Sequence, residues 1–131
     1  MSKIAPGTEI AVIVNALHLT DYRFDLCDPL EPLQVSGRCL EAGVEVPAHR
    51  HNPIVRETKS TMESWIIFSG SVECDIYDLD DCKLDSKVLH GGDCLVLFRG
   101  GHSLRVIEDR TIMFEFKNGP YLGSDRDKEN I

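Results

Sequence analysis

The chain of 131 residues has no long apolar run. No stretch approaches the roughly 18 consecutive apolar residues that a membrane-spanning helix needs, so no membrane role is expected. The apolar stretch Ile10–Val14 is too short for a signal-peptide core, and no cleavage-like site follows it. A cytoplasmic protein is the resulting expectation. Basic residues are in the minority: 14 Lys and Arg stand against 22 Asp and Glu, a net charge of −8. Such a surface repels phosphate backbones and anionic lipid, and argues against a nucleic-acid partner. The five cysteines, Cys27, Cys39, Cys74, Cys82 and Cys94, contain no C-x-x-C pair. An odd, scattered set reads as reduced thiols and small hydrophobes rather than as a disulfide framework. No sustained 3.6-residue periodicity, internal repeat or low-complexity segment is present. Neither is a phosphate-binding glycine loop, a dinucleotide fingerprint or a recognisable nucleophile motif.

What the chain does contain is a series of short β-type runs. Ile10–Val14, Leu33–Leu40, Ser64–Phe68, Val72–Leu79, Lys87–Leu89, Cys94–Phe98, Ser103–Ile107 and Ile112–Phe116 are apolar or β-branched. Turn residues separate them at Gly43, Ser69-Gly70, Asp80-Asp81, Gly91-Gly92, Gly100-Gly101 and Asp109. Regularly spaced short strands predict an all-β sandwich or barrel. The length predicts a single domain over 1–131, with its core at about 33–117. The termini, 1–8 and 124–131, read as loose ends, the second also as an arm for a partner.

One constellation carries chemistry. His49 and His51 are spaced i, i+2, which on a strand projects both rings from one face. Imidazole pairs, a carboxylate and a third imidazole from a distant strand are the donor set of a first-row transition metal. Face parity adds Glu63 and His102. If Glu63 points inward, so do Trp65 and Ile67, while Ser64, Ile66 and Phe68 point out. His102 shares its face with Leu104 and Val106. Both ionisable residues therefore lie on otherwise apolar faces, where a charge is costly unless paired or coordinated. The outward positions Ile66, Phe68, Val96 and Phe98 are apolar as well. A sheet apolar on both sides needs a cover. A homodimer is expected to supply it, and the N-terminal segment folding over its own sheet is the alternative.

Gly43, five residues, His49-Arg50-His51, then Glu63, six residues and Gly70 resembles the first motif of the cupin superfamily. Gly91 through Leu97 to His102 resembles the second. The flanks are similar to the WbuC-like cupin-fold metalloproteins: Asp28-Pro29, Leu33-Gln34, Val46-Pro47-Ala48-His49-Arg50-His51, Phe114 through Tyr121 and Asp127-Lys128-Glu129. Those are small bacterial cupins often linked to cell-surface polysaccharide gene clusters. The resemblance implies a double-stranded β-helix, the jelly-roll cupin barrel, with little helix. It implies His49, His51, Glu63 and His102 as ligands of one divalent transition metal ion: Fe, Mn, Ni, Co, Cu or Zn. Eleven residues, Asn52–Met62, separate His51 from Glu63, where cupins carry a much shorter gap. That loop offers Glu57 as an alternative carboxylate. In the second motif Leu97, Arg99 and Val106 stand where the family has proline, glycine and asparagine.

The functional expectation is a metal-dependent enzyme acting on a small polar, carbohydrate-related metabolite in the barrel pocket. Arg56, Glu57 and Arg99 are the candidate substrate-binding residues, the two arginines as a basic rim for an anionic group. The alternative is a cupin module that binds or senses a small-molecule ligand without turnover.

Overall fold

The computed structural model describes residues 7–131; the expectation of a loose N-terminus falls largely on residues outside that range. Among the described residues nine strands follow one another: β1 (Ala11–Asn15), β2 (Phe24–Asp25), β3 (Ser36–Gly37), β4 (Glu63–Ser69), β5 (Ser71–Tyr77), β6 (Lys83–His90), β7 (Asp93–Leu97), β8 (His102–Val106) and β9 (Ile112–Lys117). Helix among the described residues is confined to a 3-10 turn at Ala16–His18 and one α-turn, α1, at Ser124–Asp127. The protein is all-β, as its alternation and turn spacing predict. No helix among the described residues is long and apolar enough to cross a membrane.

The strands form a four-stranded sheet in the order β1-β7-β4-β9, a three-stranded sheet in the order β6-β5-β8, and the small β2-β3 pair. All pairings are antiparallel. No closed barrel is found among the described residues. The two larger sheets share a core. Trp65 and Ile67 of β4 and Leu95 and Leu97 of β7 meet Val72, Cys74 and Ile76 of β5 and Leu89 of β6. Each such side chain contributes about 1.5–3 kcal/mol by leaving water. The parity expected for β4 is what the sheet shows: Trp65 and Ile67 are buried, while Ile66 and Phe68 are exposed.

The hairpin between β4 and β5 turns on Gly70. Its φ is +85°, and a Cβ there would stand 2.9 Å from the Thr111 Cα. Only glycine satisfies both demands. The β4–β5 turn can therefore close tightly under the β8–β9 connection.

Three expectations are corrected. The run at 33–40 yields only the two residues of β3, because Leu33 and Val35 are used as packing instead. They lie with Met62, Val96 and Phe98 in a second cluster on the outer side of β7. Val96 and Phe98 are thus covered by their own chain. The segment carrying His49 and His51 forms no strand: residues 41–61 are exposed throughout and pair with no sheet. Pro47 and Pro53 withhold amide donors there, and a lone extended segment has no ladder to stabilise it. Finally, the C-terminus is docked. Its α1 turn brings Asp127 to within 3.1 Å of the Lys117 Nζ.

Candidate functional site

Strands β4 and β8 belong to different sheets, yet Glu63 opens the first and His102 opens the second. Glu63 is in register with Leu97 of β7 and Lys117 of β9, and His102 with Ile76 of β5. This places both side chains at the same end of the sandwich, on the inward faces. There the His102 Nε2 lies 3.5 Å from a Glu63 carboxylate oxygen. The other carboxylate oxygen accepts from the Trp65 indole N–H. The Trp65 and His102 rings meet edge to face, with centroids 5.2 Å apart. The imidazole is thus held between a carboxylate and an aromatic edge, which fixes its position.

Burial by itself would raise the Glu63 carboxyl. The polar contacts from His102 and Trp65, with the charge of His102, outweigh it and take the carboxyl down to about 2. Glu63 is therefore an anion at neutral pH, held ready to face a cation or to accept a hydrogen bond. Cys74, on the same inward face, is driven the other way. Burial first, then the nearby charges of Asp75 and Glu63, push its thiol up to about 12. It is an inert part of the core rather than a nucleophile.

Around this pair lies a cavity of about 1020 Å³. Trp65, Tyr77, Glu115 and Lys117 line it together with Glu63 and His102. The C-terminal residues Asp127–Ile131 form part of its wall. Ile131 reaches Gly101, where a Cβ would stand only 2.6 Å from the Ile131 Cδ1. Glycine at 101 is what admits the terminal side chain. The Asp127 carboxylate holds the Lys117 ammonium above the ordinary lysine range, and Lys117 also lies 5.2 Å from the centre of the Tyr121 ring. Lys117, Glu115 and the tail escaped the reading of the sequence. The signal for the first two was available in parity, since 113, 115 and 117 share a face of β9.

His49 and His51 are placed apart from this pair. Their rings are neighbours, with centroids 5.3 Å apart, on the exposed segment. The His49 Nδ1 lies 2.9 Å from the Pro47 carbonyl, which can only accept, so Nδ1 is the donor of that contact. Among the described residues no group of three or more His, Cys, Asp or Glu side chains is set to hold a metal ion. Of the four expected ligands the fold brings together two, Glu63 and His102. As placed, these residues do not make a metal seat.

The face of β8 is also more open than its pattern implies. Leu104 and Val106 point the same way as His102 but stay 40% and 52% exposed. Strand β8 is the edge of its sheet, and among the described residues no strand pairs with its outer side.

The expected substrate-binding residues are dispersed. Arg56 is exposed. Glu57 lines a separate hollow of about 190 Å³ together with Glu31, Met62 and Phe98. Arg99 borders both hollows, yet its guanidinium is engaged. Its Nη2 lies 2.8 Å from both Glu31 carboxylate oxygens, and Nη1 donates to the Glu9 carbonyl. This is a clamp between segments 68 and 90 residues away in sequence rather than an open anion receptor. All five cysteines are free; Cys39 and Cys82 are exposed, against the expectation of burial.

No family model, no curated protein and no solved structure matches this chain.

Proposed function

We propose that this protein binds a small polar metabolite of carbohydrate type in the cavity over Glu63 and His102, within a cupin-like jelly-roll domain. The single observation that carries the proposal is the anionic Glu63 paired with His102 inside a cavity of about 1020 Å³. A concave site with an apolar wall and a few convergent polar groups is the usual form of a metabolite site. Glu63, Glu115, His102 and Lys117 offer both acceptors and donors, which suits a ligand bearing hydroxyl groups. The test is isothermal titration of a panel of sugars and sugar acids against the wild type and Glu63→Gln. Binding that Glu63→Gln weakens at least tenfold supports the proposal. Binding that is indifferent to Glu63 refutes it.

A metal-dependent enzyme is the second reading. It is favoured by the convergence of Glu63 and His102, two of the four ligands that the cupin resemblance implies. The His49 Nδ1 is engaged by the Pro47 carbonyl, which leaves Nε2 as the ring nitrogen that would face an ion. The seat requires the His49–His51 segment to join the pair. Elemental analysis of protein loaded under reducing, metal-supplemented conditions tests it, with His51→Ala beside the wild type. About one metal per chain in the wild type and its loss in His51→Ala supports the reading. No metal in either protein refutes it, and leaves the metabolite-binding proposal standing.

A further inference from the structure

The outer face of the four-stranded sheet is covered on one half only. Over β7 and the start of β4, Cys27, Leu33, Val35 and Met62 lie on Val96 and Phe98. Over the rest of β4 and β9 none of the described residues packs. There Ile66, Phe68, Ile112, Phe114 and Phe116 keep between 40% and 68% of their surface exposed. Register makes them one patch: Ile66 is opposite Phe114, Ser64 opposite Phe116 and Ser69 opposite Ile112. Three aromatic rings on two adjacent strands, with two isoleucines, amount to an apolar surface of about 500 Å². That lies at the upper end of what a monomer leaves in water.

We propose that a second copy of this chain covers the patch, the two β4–β9 faces packing on each other about a two-fold axis. Three features select this occupant. A stable homodimer removes about 800 Å² from each partner, so the patch supplies well over half of its share, as an apolar centre with a rim still to come. The patch carries no charge of either sign, because alternation turns Glu63, Glu115 and Lys117 to the cavity side. An uncharged apolar face complements its own copy, whereas a basic partner of this acidic chain would look for carboxylates that this face does not display. Isologous contact also brings Phe68, Phe114 and Phe116 onto the same set, at the spacing at which sheets pack face to face. With a net charge of −8 on each copy, the rims repel. Added salt therefore strengthens the pairing by screening the rims while the apolar centre persists.

Sedimentation velocity of the full chain tests the proposal. The wild type is expected at twice the 14.7 kDa chain mass at tens of micromolar, and more completely so in 0.5 M than in 0.05 M NaCl. Phe114→Glu and, separately, Phe68→Lys are expected at the single-chain mass, with unchanged far-ultraviolet circular dichroism, since both side chains are exposed in the monomer. Val88→Glu, on the outer face of β6 in the other sheet, is expected to stay dimeric. Three results overturn the proposal: a wild type that is monomeric at about 200 µM, folded Phe114→Glu and Phe68→Lys proteins that both remain dimers, or a dimer that dissociates as salt is raised.

Discussion

Replacing Arg99 by methionine removes the cation from a clamp that joins three distant parts of the chain. Glu31 keeps only 3% of its side chain in water and Arg99 keeps 20%. In the variant a buried carboxylate loses both of its 2.8 Å contacts, and the Glu9 carbonyl loses its donor. Breaking a buried pair from one side costs about 3–5 kcal/mol, because the remaining charge is left without a partner. The residual exposure of Arg99 lets some water reach the Glu31 carboxylate, which puts the expected loss at the lower end, about 3 kcal/mol. Domains of this size are stable by about 5–15 kcal/mol, so the variant should fold but with a much reduced margin. Urea unfolding is the assay. With a slope of about 2 kcal/mol/M, the midpoint should fall by about 1.5 M. The double variant Arg99→Met/Glu31→Met removes both charges at once and should recover most of the loss. A midpoint for Arg99→Met within about 0.3 M of the wild type would refute the clamp and return Arg99 to the solvent as a free anion receptor. So would a double-mutant cycle with coupling below about 0.5 kcal/mol.

Two further outcomes rest on titrating groups. The Glu63 carboxyl lies at about 2 in the fold against an ordinary 4.5, so the folded state favours its ionised form. That contribution is present above pH 4.5 and is lost as the pH falls from 4.5 towards 2; it amounts to at most about 3 kcal/mol. Urea midpoints measured between pH 2 and 7 should show this acid limb, flattened in Glu63→Gln; an unchanged limb would show that Glu63 is not held by His102 and Trp65. In thiol labelling at pH 8, exposed Cys39 and Cys82 should react first. Cys74, with its thiol pushed up to about 12, should react only when the chain unfolds. Early labelling of Cys74 would mean that the two sheets do not close over β5.

Much of the fold was legible because its cause is local. Alternation with a period of two and the punctuation by glycine and aspartate place seven of the eight expected runs within a few residues of the observed strands, and parity alone sets Trp65 and Ile67 inward. That Glu63 and His102 share one site followed only from the cupin resemblance of their spacing, since they open strands of two different sheets. The outer face was read in part. Its apolar character is local, but whether a given half is covered depends on where residues 27–35 return, and they stop over β7.

The sequence by itself determines which face of each β-type run is apolar, because side-chain direction in a strand follows from chain geometry alone. Tertiary structure alone decides the rest. A strand exists only where another pairs with it, which β-type spacing at His49 and His51 cannot supply. A charged side chain is a clamp or a receptor according to what stands opposite. Glu31 stands opposite Arg99, and the docked tail stands opposite Lys117. These are distances in space between residues far apart in the chain, and no local pattern encodes them.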